Sequence, residues 1–177
     1  LEDEIAPALR ALDYEVTIYD NPDPAGGPFL IGRRIEDPDA LTVLTYGHGD
    51  VVRGLDKDWR SGLSPWTITL DGDRIYGRGV VDNKGQHTIN IAALAEVIAA
   101  RGRLGFNSIF FVEMSEEVGS PGIHAFAQAQ RAALGADLLI GSDGPRVTID
   151  RPTIYLGSRG AMNLELTLNL REGGHHS

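Results

Sequence analysis

The chain alternates apolar segments with segments of helical periodicity, and this alternation constrains the fold more than any other feature of the sequence. The segments 41–46, 108–115 and 136–143 are predicted strands, and 83–102 and 122–134 are predicted helices. The order strand, helix, strand, helix, strand is typical of a sheet covered by helices. We therefore predict an α/β fold with a mixed central sheet flanked by helices.

Local patterns predict several further elements. Apolar residues at helical spacing indicate a helix near the start of the chain, and alternating apolar residues around Asp71-Gly72-Asp73 predict a β-hairpin. Strands are predicted at 14–20 and 29–35. In the long helix, the residues expected on one face are Ile89, Ala93, Val97 and Ala100.

The pattern of apolar and polar residues changes near Gly160. Residues 161–170 alternate apolar and polar side chains, as a half-exposed strand does. We therefore expect one domain over residues 1–159 and the start of a second, smaller α/β domain over residues 160–177. Because the chain opens without a methionine, we interpret it as a fragment that lacks the first part of its first domain.

Composition excludes several classes of function. The net charge of −9 disfavours a nucleic-acid partner or an anionic membrane surface. The most apolar stretch, 89–100, carries Glu96 and is shorter than the roughly 20 residues needed to cross a bilayer. No signal peptide is visible, and we expect a cytoplasmic protein. Since there are no cysteines, any metal must be bound by nitrogen and oxygen atoms.

Polar residues follow several predicted strands and the hairpin. Strand 41–46 leads to one imidazole and one carboxylate, and four further carboxylates follow the later elements. Ligands bind beyond the carboxyl ends of the strands in sheets of this class. If these elements share one sheet, the groups that meet at its edge are His48, Asp50, Asp82, Glu116, Glu117 and Asp143.

Such a group of acids needs positive charge at its centre. Several carboxylates a few ångströms apart cannot all ionise readily, and a bound divalent cation reverses this cost. One histidine with several carboxylates suits zinc or a similar first-row ion, and their number indicates two cations bridged by an aspartate. Each motif alone has a simpler interpretation, a solvated turn or a glycine-rich bend, but four such segments together favour a metal site.

The motifs GHGDVV, YGRGVVDNKG, SEEVGS and LIGSDG, in this order and spacing, resemble the two-zinc amidohydrolase and metallopeptidase family. Its members include carboxypeptidase G, carnosinase-type dipeptidases, aminoacylase and succinyl-diaminopimelate desuccinylase. The resemblance implies a catalytic α/β domain followed by a smaller α/β lid domain through which the full-length protein forms a homodimer. It also implies a cis peptide bond between Asp82 and Asn83.

The resemblance assigns a role to each matching position. His48 and Asp143 would bind one metal, Asp82 would bridge both metals, and Glu117 would bind the second. Glu116 would be the general base. Asp50 would accept a hydrogen bond from His48 and fix its tautomer. His176, beside His175, matches a lid histidine that reaches the substrate in the partner subunit.

The implied function is a metal-dependent hydrolase that cleaves the amide bond of a dipeptide or an N-acyl amino acid through a metal-activated water. Zinc is the expected metal, with cobalt or manganese as alternatives. The family's further histidine for the second metal has no candidate in this chain. Two other interpretations remain open: a catalytically silent relative that uses the fold for binding or dimerisation, and a different two-metal hydrolase such as a phosphoesterase. His87 is expected to have a structural or capping role.

Overall fold

The fold is that of a computed structural model of the chain. The structure describes residues 1–157, 160, 162 and 164–169. The chain divides into two compact units, Leu1–Gly144 and Pro145–Ser177, which are described separately. The helices of the first unit are α1 (Ile5–Arg10), α2 (Lys84–Arg101) and α3 (Ile123–Ala129). Its strands are β1 (Glu15–Tyr19), β2 (Phe29–Arg34), β3 (Thr42–His48), β4 (Thr69–Asp71), β5 (Arg74–Tyr76), β6 (Asn107–Glu113) and β7 (Leu138–Gly141).

Five strands form one mixed sheet in the order β1-β2-β6-β3-β7. The pairs β1–β2 and β2–β6 are antiparallel, whereas β3 is parallel to both β6 and β7. The register places His48 opposite Glu113 and Tyr46 opposite Gly141. Three parallel strands therefore end at the same edge of the sheet. This architecture confirms the predicted α/β fold with a mixed central sheet.

Apolar side chains on both faces of the sheet form its core. On one face, α1 packs on a cluster that contains Leu30 and Phe110, with Leu94 of α2 against it. On the other face, Phe126 of α3 stacks on Phe29 at a ring-centroid distance of 4.2 Å. Because successive strand residues point to opposite faces, β6 contributes to both clusters and is fully buried.

The predicted face of the long helix is wrong. Ile89 is 67% exposed, whereas Ile91 and Leu94 pack on the core and His87 is buried. The helix is apolar on most of its surface, so periodicity alone could not choose among its possible faces. The helix ends as predicted at Gly102, which adopts a left-handed conformation with φ of 74°.

The hairpin β4–β5 forms its own two-stranded sheet, so the condition that all these elements share one sheet does not hold for the hairpin. The loop after β5 leads directly into α2, and the position of Asp82 is therefore set by the start of that helix. The peptide bond between Asp82 and Asn83 is cis.

The second unit begins at Pro145. A β-bridge joins Thr148 to Arg151, and the Tyr155 hydroxyl donates a hydrogen bond to the Pro145 carbonyl at 2.8 Å. Residues 162 and 164–169 are not in a strand, contrary to the alternation of 161–170, and Leu166 is 97% exposed. Alternation predicts a strand only where a neighbour supplies hydrogen bonds, and the described residues supply none here. The domain boundary at 159/160 stays a prediction.

No helix among the described residues has both the length and the apolar character to cross a membrane.

Candidate metal centre

His48 is the last residue of β3, and its imidazole is fully buried. Its Nε2 atom lies 2.9 Å from Asp82 Oδ1, 3.6 Å from Asp143 Oδ2 and 3.8 Å from Glu116 Oε2. Two groups of three residues could each hold a metal ion, because the ligand atoms within each group all lie within 4.8 Å of one another. Both groups contain His48. One adds Asp82 and Glu117, and the other adds Glu116 and Asp143. The structure thus brings together residues that are up to 95 positions apart in sequence.

Asp50 connects the imidazole to the turn after β6. One carboxylate oxygen lies 3.3 Å from His48 Nδ1 and accepts a hydrogen bond from the Glu116 backbone N–H at 3.1 Å. The other oxygen accepts the Glu117 N–H, also at 3.1 Å. The Asp50 backbone oxygen lies 3.2 Å from the same Nδ1. Because Nδ1 faces two acceptors, it donates its proton to them, and this orientation directs Nε2 toward the carboxylates of the cluster, where a metal would bind.

The carboxylates of the site raise one another's proton affinity. Burial raises the pKa of Glu116, and Asp143, Glu117 and Asp82 raise it further, against the lowering effect of His48. Burial likewise raises the pKa of Asp143, with Asp82 adding to the effect. Burial lowers the pKa of His48, but the nearby carboxylates outweigh this and leave its pKa raised. The electrostatics of the cluster therefore favour a nearby positive charge.

No salt bridge among the described residues joins the five carboxylates to a lysine or an arginine. Among the described residues, the basic group within salt-bridge distance of them is the His48 imidazole. An imidazole nitrogen with carboxylate oxygens is a donor set that suits zinc and similar divalent ions. The residues present therefore fit the divalent cations that the sequence motifs imply.

Asn83 is a buried residue of this site that the sequence motifs did not identify. Its Oδ1 atom accepts the His48 backbone N–H at 3.0 Å. Its amide nitrogen donates to Gln86 Oε1 and to the Ser142 carbonyl, and lies 3.4 Å from Asp143 Oδ1. One amide therefore joins β3, the loop after β7 and the start of α2. A helix N-terminus often carries asparagine, so the sequence held no signal for this role.

His87 supports the same strand from α2. It is 1% exposed, and its Nε2 donates to the His48 carbonyl at 2.9 Å. Burial lowers its pKa, so the ring is neutral. The structure thus gives His87 a structural contact, whereas His124 is exposed beside Gln128 on α3. His175 and His176 lie outside the described residues.

Comparison with known proteins identifies relatives of this site. The sequence profile described as Peptidase family M20/M25/M40 matches residues 44–167, which include all six residues of the cluster. The Beta-Ala-His dipeptidase of Rattus norvegicus is 29% identical over 153 residues, 85% of this chain and 31% of that protein. The Cys-Gly metallodipeptidase DUG1 of Candida albicans is 33% identical over 142 residues, 75% of this chain and 28% of that protein.

Solved structures give the same result. Human carnosine dipeptidase 1 superposes with a TM-score of 0.73 at 28% identity, over 80% of this chain and 32% of that one. The M20 family metallo-carboxypeptidase Sso-CP2 from Sulfolobus solfataricus gives a TM-score of 0.68 at 25% identity, over 77% and 30%. The chain spans about a third of the length of these relatives. These matches confirm the resemblance that the four motifs indicate.

Proposed function

Because the chain belongs to peptidase family M20/M25/M40, we propose that it forms the metal-binding part of a hydrolase for dipeptides or N-acyl amino acids. The observation that carries this proposal is the cluster itself: one buried imidazole and five carboxylates, with no lysine or arginine paired to them among the described residues. Such a cluster is costly in an empty site and favourable around cations.

In this proposal His48, Asp82 and Asp143 hold one divalent cation, and Asp82 and Glu117 contribute to the second. Zinc is the preferred ion because it accepts both imidazole and carboxylate ligands, with cobalt and manganese as alternatives. Divalent cations at such a centre lower the pKa of a bound water and polarise the amide carbonyl.

The chain's own residues then organise the reaction. The Glu116 side chain is 38% exposed, so it reaches solvent and can accept the proton of an attacking water. The same carboxyl can return that proton to the leaving amine. Asp50 positions the backbone of Glu116 and orients His48, so it supports the base and the metal ligand at once.

A small cavity adjoins this centre. It has a volume of about 230 Å³ and is lined by Asp82 and Glu117, by Arg78, and by apolar side chains, which are Val51, Val52 and Val81. Ligand sites for whole small molecules are commonly about 300–1,000 Å³. The cavity is therefore suited to part of a small substrate, such as one residue of a dipeptide.

The remaining parts of the proposal concern the whole protein. We propose that it is a homodimer through the domain that starts near residue 160, with His176 reaching the substrate of the partner subunit. A cytoplasmic location stays a prediction. The catalytically silent alternative is not supported by the comparisons, since the relatives named above are peptidases.

The decisive experiment uses the complete protein. Purified protein would be loaded with zinc, its metal content measured, and its turnover of dipeptides and N-acyl amino acids followed by release of the free amine. We expect turnover that a chelator abolishes and added zinc restores. His48→Ala should lose metal and activity, whereas the matched control His124→Ala, on an exposed helix position, should keep both. Zinc-loaded protein that cleaves neither substrate class would refute the proposal.

A further inference from the structure

A buried carboxylate lies beside the metal centre without belonging to it. Glu113 is the last residue of β6 and is fully buried. Its Oε1 atom accepts a hydrogen bond from the Tyr46 hydroxyl at 2.5 Å and another from the Ser120 hydroxyl at 2.9 Å. Its Oε2 atom is buried without a hydrogen-bond partner among the described residues.

This carboxylate is not explained by packing. Burial of a charged group is unfavourable unless it is paired and hydrogen-bonded, and an apolar side chain of similar volume is often at least as stable. No salt bridge joins Glu113 to a basic side chain among the described residues. Its neighbours in β6, Phe111 and Val112, are apolar core residues. A buried glutamate at this position therefore requires a role other than filling the core.

The two donors to Glu113 belong to the two segments that carry the centre. Tyr46 lies on β3, two residues before His48. Ser120 lies at the end of the turn that begins at Ser115, and its N–H donates to the Ser115 carbonyl at 2.9 Å. Glu116 and Glu117 both lie within this turn. Glu113 thus joins the far end of the turn to the strand that presents the imidazole, while Asp50 holds the start of the turn.

The turn needs such an anchor because its backbone is strained at Ser120. This residue adopts a φ of 51°, in the left-handed region that non-glycine residues rarely occupy. Conformations of this kind persist only where the surrounding contacts fix them. The hydroxyl of Ser120 and the carboxylate of Glu113 supply a partly buried contact of that kind, at the end of the turn opposite to the Asp50 contacts.

We propose that Glu113 is a positioning residue: through Tyr46 and Ser120 it fixes the turn that presents Glu116 and Glu117 to the metal centre. The expected effect of Glu113 on turnover rests on the proposed function. Its expected effect on the position of the turn is measured by the affinity for metal and does not require turnover. Loss of the anchor should displace both glutamates, weakening the site that includes Glu117 and slowing the step that uses Glu116.

The test compares matched substitutions in the complete protein. Glu113→Leu replaces the carboxylate with an apolar side chain of similar size, whereas Glu113→Gln keeps an oxygen atom that can accept the two hydrogen bonds. We expect Glu113→Leu to bind zinc about tenfold more weakly and to lose about tenfold in kcat with little change in KM. Glu113→Gln should restore most of both.

A second pair keeps the inference testable if Glu113→Leu does not fold. Tyr46→Phe removes one donor to Glu113, and Tyr14→Phe removes the same kind of buried hydroxyl, which donates to Ser108 at 2.6 Å elsewhere in the core. We expect both to lower the urea midpoint, but only Tyr46→Phe to lower zinc affinity and kcat. Unchanged zinc affinity in Tyr46→Phe and Glu113→Leu, or an equal loss in Tyr14→Phe, would overturn the inference.

Zinc affinity would be measured by equilibrium dialysis without substrate. This separates the two proposals. A wild-type protein that binds zinc but hydrolyses no amide would refute the proposed function, and the affinities of the variants would still decide whether Glu113 positions the turn.

Discussion

Substitution of Gly47 by alanine tests the geometry of the centre without touching a metal ligand. Gly47 lies on β3 immediately before His48. A Cβ atom added to it would lie 2.5 Å from Asn83 Oδ1 and closer still to the His87 ring. Carbon atoms in good contact are about 3.5–4.0 Å apart, so a displacement on the order of 1 Å is required.

The displaced groups cannot move into solvent. Asn83 and His87 are 0% and 1% exposed, and both hold the backbone of His48 through hydrogen bonds. Overpacking of this kind typically costs about 1–3 kcal/mol. Since Asn83 follows Asp82 directly, a shift of the start of α2 also moves Asp82, a proposed metal ligand. A misplacement of about 1 Å can lower turnover by roughly 10²-fold.

Gly141→Ala is the matched control. Gly141 lies on β7, opposite Tyr46 of β3, and a Cβ atom added to it would meet no atom within 4 Å. Because glycine weakens a strand, this substitution should leave the protein unchanged or stabilise it by about 0.5–1 kcal/mol. The two glycines thus predict opposite signs for the change in the free energy of unfolding.

The assay is urea unfolding of the complete protein, together with its zinc content and kcat. We expect Gly47→Ala to unfold at a lower urea concentration than wild type and to lose both zinc and turnover. Gly141→Ala should show none of these changes. If Gly47→Ala matched Gly141→Ala in urea midpoint and retained full zinc content, the close packing of β3 against the start of α2 would be refuted.

Three further predictions concern single carboxylates. Glu116→Gln should keep zinc and lose about 10²–10⁴ in kcat, since it removes the base but not the turn; undiminished turnover would contradict its assignment. Asp50→Asn should lower zinc affinity by roughly 10–100-fold, measured by dialysis, because the neutral amide holds His48 less well. Glu36 bears on stability: burial raises its pKa, but the N–H groups of Leu104 and Gly105 and the guanidinium of Arg34 lower it more. Its contribution should be complete above the unfolded pKa near 4.3 and be lost as the pH falls through the folded pKa, so Glu36→Gln and wild type should converge in urea midpoint only in acid.

The positions of the ligands could be predicted because they follow from local sequence. Each apolar strand ends where polar residues begin, and parallel strands end at a common edge. His48 at the end of β3, Glu116 after β6 and Asp143 after β7 could therefore be expected to meet without any knowledge of the loops between them. Which of them bind metal is a prediction that the geometry permits and that metal analysis of the variants would decide.

Other features could not be predicted because they depend on partners that are distant in sequence. The hairpin β4–β5 has the pattern of a sheet strand, but that pattern does not state which sheet it joins. The sequence could not determine which face of α2 packs on the core, because apolar residues surround most of the helix. Asn83 and Glu113 are ordinary polar residues in the sequence, and each becomes informative only when the fold buries it against groups more than 30 residues away along the chain, such as His48 and Tyr46 respectively.

This difference separates two kinds of experiment on the centre. Exposed or partly exposed acids such as Glu116 can be changed with little effect on packing, so their substitution reports on the chemistry. Buried polar groups such as Asn83 hold backbone atoms of the ligands, so their substitution reports on geometry. Asn83→Asp keeps the acceptor for the His48 N–H but replaces the donor to the Ser142 carbonyl with a repelling oxygen. It should therefore disturb the loop that carries Asp143 while sparing β3, and zinc content equal to that of wild type in this variant would show that the Asn83 amide is not needed to hold the loop after β7.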